Sequence, residues 1–298
     1  DGVKTSKEAA SRHPLAIMVE NDINARPQSG LDKASIVYET VYDPAATTRF
    51  MAIYGTNGAE KVGPIRSIRT MFVDWAHGFN AYLGHWGGNI DALDKIVSEK
   101  SFDLDEFRYP KAYWREGSGV ALEHTGYSST EKLWNQASAN GYSAANNFTV
   151  YKFKDDPTGE AAAALPAQQT ATINFSNASY AVKFEYDKAT NSYKRLLAGK
   201  PHVDRMSKAQ ITPKNIAIMT VKRTATKTRI NEPGYTMTTI GSGKAQVVID
   251  GKVINGTWKK ANPQDREVFY DEAGAEITFN RGQLWICVVA PETQVVIQ

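Results

Sequence analysis

Four arginines, two histidines and one carboxylate in the first half of the chain are the types of residue that handle anions. Arg26, Arg49, Arg66 and Arg69 can each hold a phosphate or carboxylate through paired N–H donors, and they stay charged at any physiological pH. His85 and His124 belong to the residue type that exchanges protons near neutrality, and Glu39 could orient one of them or act itself. Gly87, Gly88 and Asn89 follow an apolar run at 81–86 and open a helical pattern. Glycines at such a turn expose backbone N–H groups and let a ligand come close. The set has two possible uses. One is to grip an anionic group; the other is hydrolysis or transfer at a phosphodiester or glycosidic bond, with His85 or His124 working beside Glu39. Internal pairing explains the same residues more plainly, with Glu39 facing Arg49 across a hairpin and Asp74 bridging to another helix.

The stretch 63–89 must position most of these groups. Ile68, Met71, Phe72, Trp75, Ala76 and Phe79 recur at helical spacing, which predicts a helix from Ser67 with that serine as N-cap. Arg66 and Arg69 then stand at the positive end of the helix dipole, where an exposed cation costs roughly 0.3–1 kcal/mol. Two such violations in four residues suggest that something negative sits against that end. A strand over 81–86 and a helix through Ile90, Leu93, Ile96 and Val97 to about Lys100 complete the unit.

Upstream, 14–19, 34–41 and 48–54 read as strands. The last two form a hairpin, because the six residues between them are too few for a crossover. Arg26, Glu39 and Arg49 fall at loop mouths, where sites tend to be built. Ser128 or Ser129 caps a helix containing Leu133 and Trp134, and 146–153 reads as a strand. Beyond a break at 155–166 the helical period fades into short strands, with Asp250-Gly251 as a two-residue hairpin turn. The fold class is therefore an α+β or α/β amino-terminal domain followed by a mostly antiparallel β carboxy-terminal domain. The expected boundaries are a flexible tether at 1–13, the site-bearing domain at 14–155 and the β-rich domain at 170–298.

The 298 residues carry a net charge of +3. Residues 1–150 sum to −3 and 151–298 to +6, too little to mark a specific nucleic-acid surface. The stretch from Arg205 to Arg229 holds seven basic residues and no acid, so it either faces an anionic polymer or lipid or forms a solvated loop. The single cysteine, Cys287, lies in an apolar run and reads as buried and inert. His202 reads as a hydrogen bonder anchoring a turn. No phosphate loop, nucleophile elbow or His-Glu-x-x-His is present, and no pair among His85, His124 and Glu39 has metal-ligand spacing on a helix. Neither cofactor nor metal is expected.

Several motifs resemble those of a known family. Ala25-Arg26-Pro27-Gln28-Ser29-Gly30-Leu31, Ile36-Val37-Tyr38-Glu39, Gly63-Pro64-Ile65-Arg66-Ser67-Ile68-Arg69 and His85-Trp86-Gly87-Gly88 are similar to the amino-terminal domain of the YerB-like lipoproteins. Lys200-Pro201-His202-Val203-Asp204, Gly256-Thr257-Trp258-Lys259-Lys260 and Gly282-Gln283-Leu284-Trp285 resemble that family's carboxy-terminal domain. The resemblance implies an exported two-domain protein of unknown biochemical function, anchored outside the cytoplasm of a Gram-positive cell by a lipidated cysteine upstream of Asp1. It departs from the family at Tyr42-Asp43-Pro44-Ala45-Ala46, where an acidic residue followed by a glycine pair is usual. The partners this reading expects are an anionic wall-polymer fragment or nucleotide-like molecule and, as a further option, a protein. Membrane contact would come only through the lost anchor.

Overall fold

Residues 15–20, 36–41, 48–54 and 284–289 are apolar at most positions, and each becomes a strand whose residues are all buried. Such runs belong to strands covered on both faces. In the computed structural model, which describes residues 1–144 and 148–298, they form the middle of a ten-stranded mixed sheet. Its first-half strands are β1 (Leu15–Glu20), β2 (Ile36–Val41), β3 (Thr48–Tyr54), β4 (Tyr82–His85) and β5 (Asp103–Asp105). From one edge the order is Val268–Asp271, Lys252–Lys260, Gly241–Ile249, Asn215–Thr220, Leu284–Val289, β2, β3, β1, β4 and β5. Leu284–Val289 runs parallel to both β2 and Asn215–Thr220. The two halves of the sequence therefore meet in one continuous sheet.

Four helices of the first half are named in the order of the chain. Helix α1 (Lys7–Ala10) is a single turn; α2 (Thr70–His77) and α3 (Ile90–Ser98) lie on one side, and α4 (Thr130–Ala139) on the other. A second, antiparallel sheet built from Thr170–Asn174, Ala181–Asp187, Ser192–Leu197, Lys200–Pro201 and Gln294–Ile297 shares the α4 side. Its strand Ala181–Asp187 alternates buried and half-buried residues along its length, the pattern of a sheet with one packed face.

Most elements fall where the apolar spacing put them, with a few differences. Helix α2 begins at Thr70 and Arg69 is its N-cap residue without a side-chain cap, while the Ser67 hydroxyl donates to the Trp86 carbonyl at 3.1 Å. The basic stretch divides between a core strand, Asn215–Thr220, and one arm of a hairpin, Arg223–Lys227, which pairs with Pro233–Met237. Residues 1–13 do not form a free tether. Asp1 accepts hydrogen bonds from Ser35 and Thr56, and His13 is buried. Of the strand expected over 146–153, Asn146 and Asn147 lie outside the described residues, and pairing is seen for Phe153–Lys154 alone. Asp250 and Gly251 both take positive φ, which suits the tight turn read from the sequence.

Candidate functional site

Strand register divides the expected site in two. Glu39 lies opposite Phe50, and Arg49 lies opposite both Thr40 and Glu20. Directly opposed residues share a face and neighbours along a strand do not, so Glu39 and Arg49 emerge on opposite faces of the sheet. They do not form the cross-strand pair that their spacing suggested.

On the face covered by the second sheet, Glu39 is fully buried. Its Oε2 accepts from Arg195 Nη2 at 2.7 Å and from Trp285 Nε1 at 3.0 Å, and its Oε1 accepts from Thr48 Oγ1 at 3.3 Å. Arg195 also contacts His202, whose other ring nitrogen donates to Gln28 Oε1 at 2.8 Å. Arg26 completes this group by donating to Asn21 Oδ1 at 3.1 Å, with its guanidinium over the Tyr180 ring. Sequence reasoning missed Arg195 because its partner lies 156 positions away. A glutamate closed off in this way is a structural ion-pair partner, so the catalytic role expected for it is corrected. His202 is buried and hydrogen-bonds between the halves through Gln28 and Arg195, while Lys200 and Pro201 stay exposed.

On the α2 face, three arginines gather. Arg66 Nε lies 3.1 Å from Glu20 Oε1, and its Nη2 lies 3.9 Å from Glu123. Arg49 is 2% exposed. Its Nη1 donates to the Ser67 carbonyl at 2.6 Å, its Cζ lies 3.8 Å from the centre of the Tyr42 ring, and its Nε is buried without a partner. Arg69 Cζ stands 5.0 Å from the same ring, and its Nη1 donates to the Ile68 carbonyl. Among the described residues neither Arg49 nor Arg69 makes an ion pair with an acid. Burial pulls the Arg49 pKa down to about 10, which still leaves it cationic at neutral pH, and burial lowers Arg69 as well. Glu20 is pushed up by burial, against the hydrogen bond from His124 and the charges of Arg66 and Arg49.

The histidines separate. His124 Nδ1 lies 2.9 Å from Glu20 Oε2, so it joins the arginine group through a carboxylate that the sequence did not single out. His85 is fully buried, with Nε2 3.0 Å from Asp103 Oδ1 and Nδ1 2.9 Å from the Gly87 carbonyl. Both nitrogens are engaged within the protein and the ring is closed off from solvent. The constellation of His85, His124 and Glu39 is therefore not assembled, and this corrects the hydrolase geometry read from the sequence. Gly87, Gly88 and Asn89 are occupied too. Gly87 N–H donates to Asp105, Gly88 pairs with Ile68, and Asn89 caps α3 through Ala92 N–H. Arg66, Ser67, Gly87 and Gly88 nevertheless line one cleft of about 390 Å³.

Residues 2–143 match the family described as protein of unknown function DUF3048, N-terminal domain, and residues 171–286 match its C-terminal domain. "Putative lipoprotein YerB" of Bacillus subtilis is 29% identical over 97% of this chain and 84% of its own length. The crystal structure of YerB protein from Bacillus subtilis superposes with a TM-score of 0.86 at 26% identity, covering 99% of this chain and 97% of that one. This chain belongs to the YerB-like family. Its two-domain plan, with few helices and a carboxy-terminal part built mostly of antiparallel strands, is that of the family.

The turn between β2 and β3 carries local strain. Ala46 sits at φ 64, a conformation that costs an L-residue roughly 1–2 kcal/mol. Glycine would relieve that strain but lose more chain entropy on folding. Ala46→Gly is expected to stabilise the protein by up to about 1 kcal/mol in urea unfolding, and a loss of stability would show that the alanine is not strained.

Proposed function

We propose that this is an extracytoplasmic, lipid-anchored protein that binds an anionic group of an envelope ligand at Arg49, Arg66 and Arg69. One observation carries the reading: three guanidinium groups gather on one face, Arg66 against the buried Glu20 and Arg49 and Arg69 over the Tyr42 ring, and the most buried of them, Arg49, has no acidic partner among the described residues. Burying a charge costs several kcal/mol unless it is paired, and the Ser67 carbonyl and Tyr42 ring offset that only in part. A phosphate or carboxylate from outside would complete the balance. A wall-polymer fragment or a nucleotide-like molecule has such a group. The relative's name as a lipoprotein supports the placement, and among the described residues no helix is long and apolar enough to cross a membrane.

Inorganic phosphate is the simplest probe. At 100 times its Kd it should add about 2.7 kcal/mol of stability, seen as a rise in the unfolding temperature. Arg69→Gln, at a half-buried position, should remove most of that rise while leaving the ligand-free protein folded. Equal stabilisation of variant and wild type would dismiss the site.

A further inference from the structure

Beside Arg66, the 390 Å³ cleft has walls that a simple anion does not need. Its lining carries two guanidiniums, Arg66 and Arg115, against one carboxylate, Glu123. Arg115 lies over Trp86, its Cζ 4.1 Å from the ring centre, and donates to the Leu122 carbonyl at 2.6 Å. Among the described residues it makes no ion pair. The three most exposed large apolar side chains are Phe107 at 75%, Val97 at 68% and Leu122 at 67%, and two of these three line this cleft. Gly87, at φ +63, is what lets the Phe107 ring close over the backbone there, since a Cβ would meet that ring at 2.8 Å. Isolated exposed apolar residues are ordinary, but two of the most exposed gathered in a cationic cleft mark a binding surface.

We infer that the cleft receives the apolar part of an amphiphilic anion, whose charged head group is held at Arg66 and Arg115 while a hydrocarbon chain lies against Phe107, Leu122 and Trp86. This meets the anion site proposed above only at Arg66, which the two share, and through it gives that site's ligand a chemical class. Burying three or four methylenes at about 0.8 kcal/mol each corresponds to a gain in affinity of roughly 50- to 200-fold over the bare anion.

The test uses the whole protein with inorganic phosphate, octyl phosphate below its micellar concentration and octyl glucoside, read by calorimetry. Octyl phosphate should bind at least tenfold more tightly than phosphate, and octyl glucoside more weakly than octyl phosphate. Phe107→Ser with Leu122→Ser, both at exposed positions, should erase the tenfold gain and leave phosphate binding unchanged. Octyl phosphate binding no tighter than phosphate, or a gain that survives the double substitution, overturns the inference and leaves the arginine cluster standing. Octyl phosphate bound in a Phe107-dependent way while phosphate does not bind supports the cleft and dismisses the cluster. Silence from both phosphates overturns both.

Discussion

Arg195→Met is expected to lower folding stability by roughly 3–5 kcal/mol, the usual consequence of leaving one member of a buried ion pair alone. Glu39 and Arg195 are both fully buried and 2.7 Å apart. Without the guanidinium, Glu39 keeps only neutral donors: Trp285 Nε1, Thr48 Oγ1 and, at 3.5 Å, Asn21 Nδ2. Glu39→Gln alone should cost a comparable amount, because Arg195 is then the unpaired charge. The double variant should recover part of the loss, since a buried pair removed together is often nearly neutral. Urea unfolding of the two single variants and the double measures the coupling. A loss under about 1 kcal/mol for either single change would place the pair among solvent-exposed bridges and reopen Glu39 as a chemical group.

Acidification is expected to weaken the fold through His202. Its pKa is held well below the ordinary histidine value of 6.5, first by burial and then by the charges of Arg195 and Arg26. A group depressed in the folded state contributes its full stability above the unfolded value. That stability is lost as the pH falls from 6.5 toward the lower value in the fold, with a limiting slope of about 1.4 kcal/mol per pH unit. Glu20 acts in the opposite sense, because burial raises it: its contribution is present below 4.5 and disappears as the pH rises through its folded value. His202→Gln separates the two. The variant should be less stable than wild type at neutral pH, where the Gln28 and Arg195 contacts are lost or weakened, and its stability should vary less between pH 7 and 5. An equally steep profile in the variant would assign the dependence to another group.

How much of this could be read in advance depended on distance along the chain. Strand β3, helix α3 and the buried Leu284–Val289 run follow from period and composition within a dozen residues, and each is present. The nearness of Arg66 and Arg69 follows from two cations beside a helix start, whereas Arg49 joins them only through the register of β3. What could not be read was register. One position along β2 decides whether Glu39 faces Arg49 or the second sheet, and nothing local fixes that choice. Its true partner, Arg195, comes from a strand whose own pattern marks it only as half-buried. His85 misled for a related reason. Its partner, Asp103, sits on β5, beside β4 in the sheet but 18 positions later in the chain.

The place of Leu284–Val289 between β2 and Asn215–Thr220 bears on how this chain comes to be made. While a ribosome or translocation channel has delivered only the first half, β2 shows an open flank of unsatisfied N–H and C=O groups, apolar on both sides. Such a flank invites pairing with any neighbouring nascent chain. It closes only when residues 284–289 come free, so completion of the sheet waits for a strand far along the chain.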